Sequence, residues 1–189
     1  TTGVVATGTQ TITIKNNSKT TNSTCTATMS NTYTATTTGS GVTLGASSVS
    51  VIYGKTNTVK VTPNTGYYLK SASCTNGFTT SASTGTGATA AQTVTISNNS
   101  KTSNSVCTFT GSNAYTATIK GTSTTVGASS LSIAYGSSKT VAVTPATGYY
   151  LSSGSCTNGY TISNMTTGVG KTAAQTVTIN NNNKTSTIF

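Results

Sequence analysis

The 189 residues include no aspartate, glutamate, histidine, arginine or tryptophan, and only two prolines. Each absence removes chemistry. Without a carboxylate or imidazole side chain there is no general acid–base pair, no glycosidase carboxylate dyad and no Ser-His-Asp triad. The four cysteines, with no His, Asp or Glu beside them, offer only an all-thiolate metal site. No two of them lie close together in the sequence, so that site is not expected either. The chain is therefore expected to be no enzyme and to need no cofactor. No stretch reaches 18 consecutive apolar residues, so no membrane span is expected. Nor does Thr1 open a charged-then-apolar leader.

What is present is small and polar. Thr (49), Ser (27), Asn (17) and Gln (3) make up about half the chain, and ten lysines give a net charge of +10. Hydrophobic residues make up only 33%, low enough for disorder to be considered. Against disorder stand the nine tyrosines, the many Val and Ile, and a strict alternation of apolar and polar positions. Those residue types suit a pleated, half-buried surface. The expectation is an all-β protein with thin cores, stapled by disulfides and without significant helix.

Internal self-similarity organises the chain. VTPNTGYYLKSASCTNGF at 61–78 returns as VTPATGYYLSSGSCTNGY at 143–160, a shift of 82. TQTITIKNNSKTTNSTC, ending at Cys25, matches AQTVTISNNSKTSNSVC, ending at Cys107. A third copy of that stretch begins at AAQTVTINNNNKTS, shifted by 83 because the preceding loop is one residue longer. The expected organisation is a partial repeat at 1–30, a first β-sandwich-like module at 31–112 and a second at 113–189, each period about 82 residues. Phe189 aligns with Val106, so the second module is expected to lack its last strand, and 1–30 to supply the last strands of a preceding or neighbouring module.

Within each unit short strands are expected. Tyr33 and Ala35 alternate with threonines, as do Tyr115, Ala117 and Ile119. Val59 and Val61, with Val141 and Val143, run to Pro63 and Pro145, where a missing N–H ends central pairing. A GYYL strand then reaches Cys74 or Cys156, and Asn76-Gly77 and Asn158-Gly159 mark turns. The final pair in each unit is the strand of Val94 and Ile96 (also Ile12 and Ile14, Val177 and Ile179) and the strand of Cys107 and Phe109.

Four cysteines allow three pairings. Cys25 with Cys74 and Cys107 with Cys156 would each span 49 residues. Cys74 with Cys107 spans 33 and keeps the bond inside one module, which the repeat register favours. Cys25 and Cys156 are then left without partners inside a unit. Two readings stay open: Cys25 bonds Cys156 of a neighbouring subunit, or the stretch is a piece of a longer array. Disulfides in either case place the chain in an oxidising, extracellular compartment.

At VTPxTGYYLxSxSCTNG, followed some thirty residues later by Cys-Thr-Phe-Thr, the sequence resembles the divergent InlB-B-like repeats of bacterial surface and secreted proteins. The resemblance implies a small β-rich extracellular module used as a spacer or stalk. It also implies that Cys74 of SCTNG pairs with Cys107 of the last strand.

The function expected is structural: a repeat subunit of an extracellular fibre, pilus-like appendage or adhesin stalk, a homopolymer joined head to tail by strand complementation. The alternative is a surface module binding carbohydrate or polyanion. The paired tyrosines Tyr67-Tyr68 and Tyr149-Tyr150 are the candidate surface contacts for a glycan, against the reading that they pack beside the disulfide. An anionic polymer is the other candidate partner. The lysines (15, 19, 55, 60, 70, 101, 120, 139, 171 and 184) are scattered singly, whereas nucleic-acid sites cluster charge and use Arg, so no specific nucleic acid is expected. Asn16, Asn22, Asn98, Asn164 and Asn183 head Asn-x-Ser/Thr sequons. Lys–Asn isopeptide bonds are not expected, because no acid is present to move the proton.

Overall fold

The computed structural model describes residues 8–100 and 102–182. Among them there is no helix, and fourteen strands form four sheets. In the first half these are β1 (Thr32–Ser40), β2 (Val42–Leu44), β3 (Ser48–Ile52), β4 (Thr56–Pro63), β5 (Tyr68–Cys74), β6 (Phe78–Thr80), β7 (Gln92–Asn98) and β8 (Ser105–Ser112). In the second they are β9 (Ala114–Thr118), β10 (Thr124–Val126), β11 (Ser130–Ala134), β12 (Ser138–Pro145), β13 (Tyr160–Ser163) and β14 (Gln175–Asn181).

The first half closes as two four-stranded sheets, β3-β1-β8-β5 and β2-β4-β7-β6, over one apolar cluster. Alternation explains the cluster, since successive strand side chains point to opposite faces. Val59 and Val61 of β4, Val94 and Ile96 of β7, and Cys107 and Phe109 of β8 face inward, while Lys60, Thr95 and Thr108 between them face out or sit at the margin. Burying each large aliphatic or aromatic side chain contributes roughly 1.5–3 kcal/mol. A small core is thus compatible with a chain so rich in Thr and Ser.

β8 is the closing strand. It lies between β1, which it pairs in parallel from Ala35↔Ser105 to Ser40↔Thr110, and β5, which it pairs antiparallel from Cys74↔Cys107 to Tyr68↔Ser112. A parallel pair needs a long crossover, and here the crossover is the rest of the unit. The strand that completes the sandwich is therefore the last to arrive. It then passes through the single residue Asn113 into β9.

Six strands of the second half have counterparts in the first, and those of β5 and β8 are missing. β9, β11, β10, β12, β13 and β14 take the places of β1, β3, β2, β4, β6 and β7. The β10-β12-β14-β13 sheet is complete, but the facing sheet has only two strands, β11-β9. The strand expected from Tyr150 to Cys156 does not form: residues 150–157 carry no strand pairing up to the Asn158 turn. A strand needs a partner for its backbone N–H and C=O groups, and its partner in the first half is β8. β9 stops at Thr118, whereas β1 runs on to Ser40 along β8.

The strand expected around Ile12 and Ile14 is likewise unformed. Residues 8–31 carry no strand and are exposed throughout, with Ile12 and Ile14 each 66% exposed. The expectations at Lys101, Asn183, Lys184 and Phe189 lie outside the described residues.

Candidate functional site

The incomplete sheet leaves a groove of about 640 Å³ in the second half. One wall is the run from Thr118 to Thr124, the other the run from Tyr149 to Thr157. Its floor is apolar, with Val141, Val143, Val177 and Ile179 reaching it from β12 and β14. Ile119, Ile162 and Met165 line its sides, and among the described residues lining it Lys120 is the only charged one.

Both walls are held as they are in the completed first half. The Ile119 N–H donates to Ser129 O at 2.8 Å, as the Thr37 N–H does to Ser47 O at 2.8 Å. The Leu151 N–H donates to Lys171 O at 3.0 Å and Leu151 O accepts from the Gly168 N–H at 2.9 Å, matching Leu69 with Ala88 and Gly85. The groove is therefore framed by two runs of chain held as their counterparts are in the first half.

The cysteines divide accordingly. Cys74 and Cys107 form the disulfide, with an S–S distance of 1.98 Å. Cys156, at the equivalent position on the groove wall, is free and half-buried, and burial pushes its thiol pKa up. Cys25 is free and exposed on the 8–31 segment. Beside Cys156 lies Tyr160, whose buried hydroxyl has no hydrogen-bond partner.

The four candidate tyrosines do not form two like surface pairs. Tyr68 is buried, and it does not contribute to an exposed surface: it packs into the second apolar cluster, its ring 5.2 Å from that of Tyr115. Its hydroxyl donates to Ala114 O at 3.3 Å, and the Tyr115 hydroxyl donates to Gly66 O at 3.4 Å. Gly66, at φ +80, is pressed by the Tyr135 ring, where a Cβ would lie 2.4 Å from a ring carbon. Tyr68 thus clasps the first half to the second. Tyr67 is half-buried against Gly41. Tyr149 and Tyr150 are 54% and 45% exposed at the groove rim, and a Cβ on neighbouring Gly148 would meet nothing within 4 Å. Matching local motifs group the two pairs in the sequence. The difference lies in the neighbour that each pair meets in space.

The lysines described are all exposed and dispersed, with no cluster that would hold a polyanion. Asn98 is fully buried, so its sequon is closed to a glycan in the folded chain, while Asn16, Asn22 and Asn164 are exposed. Among the described residues no group of three or more Cys, His or acidic side chains gathers as a metal site. No described helix is long and apolar enough to cross a membrane. The all-β fold and its disulfide define the class as far as structure does, and a disulfide is the mark of an oxidising compartment. Comparison with known proteins gives no match: no family, no curated protein and no solved structure.

Proposed function

We propose that the chain is a non-enzymatic structural subunit of an extracellular fibre or stalk, polymerised head to tail by donation of a strand from one copy to the next. One observation carries this reading: the second sandwich has an open, framed groove with an apolar floor where the first has β8, and a sequence copy of that strand, forming no strand of its own, stands exposed at 23–30. The motif resemblance to InlB-B-like surface repeats and the disulfide chemistry point to the same setting. Strand addition to an open edge supplies main-chain hydrogen bonds for affinity and side-chain pockets for specificity.

Residues 23–30 cannot fill the groove of their own chain. Strand β1 runs from Thr32 to Ser40, level with Thr110, toward the junction at Asn113, so Thr32 stands roughly 36 Å before that junction at 3.3 Å per residue. The far end of the groove, at Tyr150, lies a similar distance beyond it. A strand seated as β8 is seated would put Ser30 beside Tyr150, and the single residue Asn31 cannot return the chain to Thr32. Completion must come from outside the described unit.

The test is the solution mass of the chain with and without residues 8–30. The full chain is expected to form a concentration-dependent series of multiples of 18.9 kDa, and the truncated chain to stay monomeric. Monomers from both, at concentrations that saturate ordinary strand addition, would refute polymerisation.

A further inference from the structure

Resting on that reading, we infer that the donated strand is Ser23–Ser30 of a second copy, in the register of β8, and that Cys25 is locked there by a disulfide to Cys156 of the receiving copy. The register comes from the first sandwich with each number lowered or raised by 82. Ser23 pairs in parallel with Ala117 and Thr28 with Thr122, as Ser105 pairs with Ala35 and Thr110 with Ser40. Cys25 pairs antiparallel with Cys156 and Ser30 with Tyr150, as Cys107 pairs with Cys74 and Ser112 with Tyr68.

The contacts that hold β8 recur by residue type on both sides. In the first sandwich the Thr34 N–H donates to Asn104 Oδ1 at 2.8 Å, and Asn76 Nδ2 donates to Asn104 O at 2.7 Å. The corresponding residues are Asn22 on the donor and Thr116 and Asn158 on the receiver. Ser105 Oγ donates to Thr75 O at 2.8 Å, and the Val106 N–H donates to Thr75 Oγ1 at 2.9 Å. Ser23 and Thr157 stand at those places. The donor strand carries no charge, so none is brought onto the apolar floor of the groove.

Where the two interfaces differ, they differ in a compensating way. The donor has Ala27 where β8 has the fully buried Phe109. The receiving groove in turn has bulk that the first sandwich lacks. Gln175 caps Thr166 as Gln92 caps Ser83, which aligns Met165 with Ala82. Ile162, opposite Ile179, takes the place of Thr80, opposite Ile96. Met165 already lies over Gly154, the residue that faces Ala27 in this register: a Cβ there would be 2.5 Å from the Met165 methyl. A small donor residue meets an enlarged wall, so close packing is kept.

The end surfaces match as well. The Asn31 O accepts from the Tyr53 N–H at 2.8 Å, as Asn113 O does from the Tyr135 N–H at 2.8 Å. Exposed Tyr150, open Gly148 and 39%-exposed Tyr53 are then the halves of a second clasp like that of Tyr68, Gly66 and Tyr135.

In forming the bond, the Cys25 and Cys156 thiols lose two protons and two electrons and gain one S–S bond. The electrons reduce the disulfide of a thiol oxidoreductase, or of oxidised glutathione in the test, to two thiols.

The experiment uses the full chain and its Cys25→Ser and Cys156→Ser variants, treated with oxidised glutathione. It reads denaturing gels without reductant, cysteine-peptide mass spectrometry, and native mass of the reduced protein. The expected result is a covalent ladder in the parent that both substitutions abolish, with Cys25 linked to Cys156 between chains and native assembly persisting in reduced Cys25→Ser. Native polymers with both thiols free, or with Cys25–Cys25 bonds, overturn the cross-link while leaving polymerisation standing. Monomers in every native measurement overturn both.

Discussion

At the scale of single residues, the second sandwich differs from the first in what its buried groups are missing. Tyr160 stands where the first sandwich has Phe78, and its hydroxyl is buried without a partner. Desolvation, then the neighbouring Tyr115 and Cys156, push its pKa up to about 12. Burial and Tyr68 raise that of Tyr115 as well. In the unfolded chain both phenols ionise near pH 10. A folded-state pKa above the unfolded value means that the native state holds its proton longer. The associated stability is therefore fully present below about pH 10 and is lost as pH rises toward about 12. Thermal midpoints measured against pH are expected to fall over this window, and Tyr160→Phe to flatten the fall. A midpoint that does not change between neutral pH and the top of that window would contradict the assignment.

At the scale of elements, each sandwich is tied across its sheets by one buried asparagine. Asn98, at the end of β7, donates from Nδ2 to Val51 O on β3 at 2.9 Å and accepts from the Ser100 N–H at 2.8 Å. Asn181 at the end of β14 donates to Ile133 O on β11 at 2.9 Å. Asn98→Ala leaves a buried carbonyl and a buried N–H unsatisfied, at a cost of about 2–3 kcal/mol, read as a lower urea midpoint with an unchanged slope. The strands themselves were legible in the sequence, because period-2 alternation around Val59, Val94 and Val141 is a local signal. So was the Cys74–Cys107 bond, because the period places both on one unit. The tie made by Asn98 was not, since it reads as one Asn in a polar turn until the opposite sheet arrives. Nor was the failure of 150–156 to form a strand: its motif differs from that of β5 only at Ser152 for Lys70 and Gly154 for Ala72, while the neighbour that pairs β5 is absent. The division of the tyrosines was hidden for the same reason. Tyr68 is buried by Tyr115 of the next unit, and Tyr150 meets no described counterpart.

At the scale of the molecule, one completed sandwich, one open sandwich and one exposed strand copy make a unit whose unmet pairing is the same at both ends. The second half is short of a strand between β9 and 150–156; the 8–31 segment carries the sequence copy of that strand and forms none itself. Aggregation through unpaired edges is normally prevented by charge or by a bulge, and the groove has only Lys120 at its rim. Joining copies through this edge extends the internal junction rather than creating a new kind of contact, so a fibre would have the β8-to-β9 connection as its repeating step. The most direct measurement adds a synthetic peptide of residues 22–31 to the chain lacking 8–30 and monitors thermal unfolding together with amide exchange. Strand donation predicts a midpoint raised by about 5 °C or more and new protection at 117–122 and 150–156. An unchanged midpoint, with those amides still exchanging freely at saturating peptide, would contradict it.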